Sequence, residues 1–156
     1  MTDLKQNAVR RLREVMVVDD DADVRCALVE FLTHEGISSF HAFDGLDALE
    51  HLGNGPPPCA IVLDLDMPRL AGPAFVAVLR GDLRLPRIPV FTMTAGAEPL
   101  GLDTEGHLSK PFAMQSLLAM LFVFCRSCGV CDGAGPVVGS IFRARRRADL
   151  GPSSSS

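Results

Sequence analysis

The chain is 156 residues long, 47% hydrophobic and 22% charged, with a formal net charge of −4. That length suits one soluble domain with short tails. No apolar stretch is long enough to cross a bilayer and the N-terminus lacks a signal-peptide core, so a cytoplasmic protein is expected. Charge is unevenly spread, with 16 acidic and 6 basic side chains in residues 14–112 against 3 and 9 at the two ends, so the central part is a poor nucleic-acid binder and direct DNA binding is not expected.

Residues 1–13 carry no hydrophobic period and read as a flexible lead. Val15 to Val18 reads as a short buried strand running into Asp19-Asp20-Asp21. From Ala22 the spacing turns helical, with Val24, Leu28, Phe31 and Leu32 on one face, an Asp near the cap and Gly36 at the end. A second strand is expected over 37–42. Asp44-Gly45 then opens a helix carrying Leu46, Leu49 and Leu52, which Gly53-Asn54-Gly55 and three prolines stop.

A third strand over 60–63 ends at Asp64-Leu65-Asp66-Met67-Pro68. Pro73 suits the first turn of the next helix, whose inner face is Phe75, Val76 and Leu79. A fourth strand over 88–93 ends at Thr94-Ala95, and a fifth over 106–109 ends at Lys110-Pro111. A last helix runs from Phe112 to about Cys125. Strands alternating with helices at this spacing predict an α/β fold, a doubly wound (βα)5 unit on a parallel five-stranded sheet. The domain is expected over 14–126, and the Gly-, Pro-, Arg- and Ser-rich residues 127–156 read as a disordered tail.

Five cysteines do not describe a secreted disulfide framework. Cys26 and Cys59 fall in apolar patterns and are expected in the core. Cys125, Cys128 and Cys131 have a C-x-x-C-x-x-C spacing that could suit a metal, yet no fourth ligand stands nearby and incidental cysteines are expected.

In parallel sheets, ligands and chemistry collect at the carboxyl ends of the strands. Here those ends deliver carboxylates, a hydroxyl and an ammonium to one rim. A carboxylate attacking phosphorus needs both charges offset, and Mg²⁺, a lysine and a hydroxyl donor do that. The set therefore points to a phosphorylatable switch.

Four motifs occur in order, each at a strand end: Val17-Val18-Asp19-Asp20, Asp64-x-x-Met67-Pro68 with Gly72 after it, Thr94-Ala95, and Lys110-Pro111-Phe112. Over residues 14–126 the chain resembles the receiver domain of bacterial two-component response regulators, of the stand-alone type. The resemblance implies a flavodoxin-like sheet and Asp64 as phosphoacceptor. It implies Mg²⁺ held by Asp19, Asp20, Asp64 and the backbone carbonyl of Asp66, with Thr94 and Lys110 on the phosphoryl group. A sensor histidine kinase or phosphotransfer protein would supply that group, and output would pass through protein contact with no membrane involved.

Two other functions compete. Asp64-x-Asp66 is similar to the acidic pair of haloacid-dehalogenase-type phosphatases, but that family has its pair near the start of the chain, and here Asp19-Asp20 comes first. A degenerate receiver acting as a constitutive binding module is the third reading.

The sequence departs from the receiver pattern at three places. His107 stands three places before the lysine, where receivers carry an aromatic residue, and its titratable ring is expected to take a similar in-or-out part. Thr94 and Lys110 are only 16 positions apart, so the fourth helix is expected to shrink to at most one turn and the output face to change. The run from Leu117 to Cys125 is apolar all round, so cover from the tail, a partner or a second copy in a homodimer is expected.

Overall fold

Five short strands, β1 (Val15–Val18), β2 (Ser39–Ala42), β3 (Ala60–Asp64), β4 (Val90–Thr94) and β5 (Gly106–Ser109), form one sheet in the order β2-β1-β3-β4-β5. Every pairing is parallel. The structure, a computed structural model, describes residues 14–127 except Pro68 and Glu98, with only the backbone at residues 125–127. The expected lead, the expected tail and the Cys125-Cys128-Cys131 thiols lie outside the described residues.

Four helices connect and flank the strands: α1 (Ala22–His34), α2 (Gly45–Asn54), α3 (Gly72–Gly81) and α4 (Met114–Ser127). Side chains alternate across a strand, so the sheet feeds two cores. Val15, Val17, Val62, Phe91 and Met93 pack against Leu28 and Leu32 of α1 and Leu117, Leu118 and Leu121 of α4. Met16, Val18, Ile61, Leu63 and Val90 pack against Ala48 and Leu52 of α2 and Phe75, Val76 and Leu79 of α3. Each fully buried aliphatic or aromatic side chain contributes roughly 1.5–3 kcal/mol.

Local chemistry sets the helix starts. The Asp21 carboxylate accepts from the N–H groups of Asp23 and Val24 and caps α1, and Asp44 does the same for α2 through Asp47. Pro73 lies in the first turn of α3, where a missing N–H costs nothing. Gly72 is required by space. A Cβ there would stand 2.6 Å from the Leu65 Cα and 3.2 Å from the Asp64 carbonyl oxygen. The start of α3 is thus pressed against the turn that carries Asp64.

The structure corrects several expectations. Cys26 is exposed, because the inward face of α1 is set by Leu28 and Leu32 and Cys26 points away from it. Leu46 is 45% exposed, the buried stripe of α2 being Ala48 and Leu52 instead. The domain itself covers Leu117, Leu118, Leu121 and Phe122 of α4, leaving Val123 69% exposed. The helix is therefore amphipathic in place, despite its apolar sequence.

Between β4 and β5 no helix forms among the described residues, only a turn near Leu100-Gly101. A polar clasp holds this connection instead. Arg80 of α3 donates to the carbonyls of Ile88 and Asp103 and to the Glu105 carboxylate, while Arg87 pairs with Asp103 at 2.7 Å and Glu105 at 3.0 Å. Glu105 also accepts from the Val90 N–H, and Leu102 packs on the core beneath α3.

Candidate functional site

β1 and β3 are neighbours with Val18 opposite Leu63, so Asp19 and Asp64 emerge side by side at the carboxyl edge. This is the switch point of the sheet, where crossovers leave to opposite sides and open a crevice. Asp19 and Asp64 are buried and Asp20 is exposed; one ligand atom from each of the three lies within 4.8 Å of the others. Lys110, which follows β5 directly and precedes a cis peptide bond to Pro111, places its Nζ 3.2 Å from Asp19 Oδ2 and 3.5 Å from Asp64 Oδ2.

Backbone and side-chain donors hold the carboxylates in place. The Asp21 N–H donates to Asp19 Oδ1 at 2.9 Å and the Asp66 N–H to Asp64 Oδ1 at 3.1 Å. Arg25, in the first turn of α1, donates to the Asp19 carbonyl at 2.8 Å. Burial pushes the Asp64 carboxyl up from 3.8 to about 6, opposed by the Asp66 N–H and Lys110 and assisted by the Asp19 charge. Burial alone would lower the Lys110 ammonium, but the Asp19 and Asp64 carboxylates outweigh it and hold it above its ordinary value. Two buried acids and one lysine leave an excess of negative charge that a divalent cation would relieve. Three clustered hard oxygens fit Mg²⁺ by their donor chemistry.

Thr94 ends β4, and its hydroxyl donates to Asp66 Oδ2 at 2.8 Å. Asp66 Oδ2 also accepts from the Ala95 N–H at 3.3 Å. His107 lies farther down the sheet opposite Thr92, with Nδ1 2.8 Å from Thr92 Oγ1 and Nε2 buried without a hydrogen-bond partner. Asp19, Asp20, Asp64 and Lys110 are thus brought together, Thr94 joins them through Asp66, and His107 stands apart on Thr92.

Sequence reasoning missed two contributors to the site and one ion pair elsewhere in the domain. Arg25 had a signal, since it follows the acidic cluster by one helical turn. The Asp66 side chain stood out only as half of the Asp64-x-Asp66 pair of the phosphatase reading, and nothing in the sequence announced its bond with Thr94. Arg69, in the left-handed region at φ 67°, reaches the buried carboxylate of Asp44 at 2.9 Å, and neither sequence neighbourhood announces the pair.

A sheet of this order with acids and a lysine on one rim defines a receiver-type signalling domain. The family model for the response regulator receiver domain matches residues 15–122, and the chain belongs to that family. It is 38% identical over 129 residues to the response regulator MprA of Mycolicibacterium vanbaalenii, covering 78% of this chain and 54% of that protein. Against MprA of Mycobacterium tuberculosis it is 34% identical over 157 residues, covering 87% and 66%. The chain therefore spans between about half and two thirds of the length of these curated relatives.

Among solved structures, the Vibrio cholerae chemotaxis protein CheY4 superposes with a TM-score of 0.64 at 27% identity, covering 70% of this chain and 95% of that one. The receiver domain of the Francisella response regulator 1452 gives 0.65 at 26% identity, covering 74% and 98%. Residues 15–122 thus form a receiver domain, the phosphorylatable switch module of two-component signalling. Receiver domains bind Mg²⁺ at an acidic pocket, act as switches rather than turnover enzymes, and receive their signal from kinase or phosphotransfer partners; this chain has such an acidic cluster. No helix among the described residues is long and apolar enough to cross a membrane.

Proposed function

We propose that Asp64 is the phosphoacceptor of a cytoplasmic phosphorelay switch, loaded from the phosphohistidine of a sensor kinase or phosphotransfer protein. One observation carries the reading: a carboxylate at the end of a central strand, 3% exposed, with two further acids within 4.8 Å and an ammonium at 3.5 Å. An Asp64 oxygen attacks phosphorus in line, the P–N bond of the donor breaks, and the released imidazole keeps the electron pair and takes up a proton.

Asp19, Asp20, Asp64 and the Asp66 carbonyl would hold Mg²⁺, which when bound supplies the positive charge that lets two anions approach. Lys110, whose ammonium already stands beside Asp19 and Asp64, would offset the charge of the phosphoryl oxygens, and the Thr94 hydroxyl and Ala95 N–H are donors at the same edge. Output then passes by protein contact, in a monomer or a homodimer. In place of an aromatic–hydroxyl pair at Thr94, His107 would report through Thr92.

The phosphatase reading is weakened by the order of the acids, and the constitutive module by the completeness of the acidic set. Incubation with acetyl phosphate and Mg²⁺ followed by mass spectrometry tests all three. A gain of one phosphoryl group that vanishes in Asp64→Asn is expected, with no turnover of phosphate esters. Labelling that survives Asp64→Asn moves the nucleophile elsewhere, and sustained ester hydrolysis makes the protein an enzyme.

A further inference from the structure

We infer that the Asp66 side chain is a built-in competitor of the phosphoryl group, an internal anion that occupies the donors the phosphoryl oxygen needs. The inference rests on the reading of Asp64 as phosphoacceptor and concerns how that site is regulated.

Asp66 joins the two strand ends. Its N–H donates to Asp64 Oδ1 at the end of β3, while its Oδ2 accepts from the Thr94 hydroxyl at 2.8 Å and the Ala95 N–H at 3.3 Å at the end of β4. The Thr94 oxygen itself accepts from the Gly96 N–H at 3.1 Å. A hydroxyl has one proton and a backbone amide one, so both donors at this edge are committed to a single carboxylate oxygen. Charge-assisted bonds of this kind are among the stronger ones available to a hydroxyl.

A phosphoryl group arriving on Asp64 would meet a carboxylate where it needs donors. Thr94 and Ala95 can turn to it only by releasing Asp66, which then stands, held by water alone, beside another anion. Each change raises the free energy of the phosphorylated form. Asp66 thereby sets how firmly the loaded state is held. Because Asp66 is exposed, water can take up the carboxylate once it is released, which keeps the exchange reversible. Asp66 is a positioning residue that acts through Thr94; its backbone carbonyl is a separate matter and survives any side-chain change.

The test uses the full chain with saturating Mg²⁺ and the trifluoroberyllate ion, which binds a carboxylate oxygen in place of a phosphoryl group, followed by ¹⁹F NMR titration. Asp66→Ala is expected to bind trifluoroberyllate roughly tenfold more tightly than the parent, the equivalent of about 1.4 kcal/mol, with Asp66→Asn in between. In a Thr94→Val background most of that gain is expected to vanish, a coupling that a general structural effect would not produce. Equal or weaker binding by Asp66→Ala, with the parent binding normally, overturns the inference and leaves the reading of Asp64 intact. A parent that neither binds trifluoroberyllate nor gains phosphoryl mass on Asp64 overturns both.

Discussion

Thr92 Oγ1 lies 2.8 Å from His107 Nδ1, directly across the β4–β5 ladder, so the residue at the switch position is bonded to Thr92 and not to Thr94. Thr92 is 1% exposed, and its hydroxyl also reaches the Gly106 carbonyl at 3.3 Å. Thr92→Val strips the ring of this partner while Nε2 is already buried without one, and is expected to cost about 1–2 kcal/mol. His107→Phe removes both ring nitrogens together and is expected to cost less. Urea unfolding of the two variants checks the order, and a larger loss in His107→Phe contradicts it.

The raised pKa of Asp64 predicts a pH effect of definite sign in metal-free protein. The folded state favours the protonated acid, so the stability this group contributes is fully present below about 3.8 and is lost as pH rises through about 6. Asp64→Asn lacks that loss. Its stability relative to the parent is expected to grow by roughly 2–3 kcal/mol between pH 4 and pH 7. Parallel pH profiles for parent and variant in urea titrations would show that burial does not perturb this acid.

Lys110 sits between two buried carboxylates, so Lys110→Met leaves both without a counter-charge. A loss of about 1–3 kcal/mol is expected in metal-free protein at neutral pH. Added Mg²⁺ should restore part of it by mass action on the folded state. An unfolding midpoint indifferent to Mg²⁺ in this variant would place the cation elsewhere.

The clasp that replaces the fourth helix separates buried from exposed ion pairs. Glu105→Ala takes the largely buried carboxylate from Arg80 and the acceptor from the Val90 N–H together, leaving Arg80 its carbonyl partners, and is expected to cost about 2–3 kcal/mol. Arg87→Ala loses the exposed pair with Asp103 and one contact to Glu105, and should cost less because Glu105 keeps Arg80 and the Val90 N–H. Thermal melts of the two variants decide the matter, and equal losses would mean the buried half of the clasp is not what holds the segment.

Leu121 and Val123 are two positions apart on α4 with opposite environments, 3% and 69% exposed. Leu121→Glu is expected to unfold the domain. Val123→Glu should leave it folded, and sedimentation or light scattering on that variant reads whether this flank serves association.

The strands and the acidic rim were legible from the residue string because both are encoded locally. Short apolar runs that alternate with helical spacing and end in Asp or Thr read as buried strands whose ends meet at one rim. The caps at Asp21 and Asp44 and the proline in α3 likewise depend on neighbours within one turn. Element edges moved by a residue or two: β2 begins at Ser39, β4 at Val90 and α4 at Met114.

What only the tertiary structure decided were contacts between residues far apart in the chain. Residue types along one helix name an apolar stripe, but which flank meets the sheet depends on how the helix lies across it, so Cys26 and Leu46 came out exposed. Lys110 reaches Asp19 across 91 positions and Thr94 reaches Asp66 across 28, distances at which no periodicity survives. The connection between β4 and β5, without a helix among its described residues, was visible as a short, Pro- and Gly-marked spacing. The Arg80–Glu105 clasp that holds it was not, because an arginine chooses among carboxylates by where the fold sets them down. Sequence by itself determined which groups would stand at the rim; the packing of β1, β3 and β4 decided which of them share protons, charge and donors.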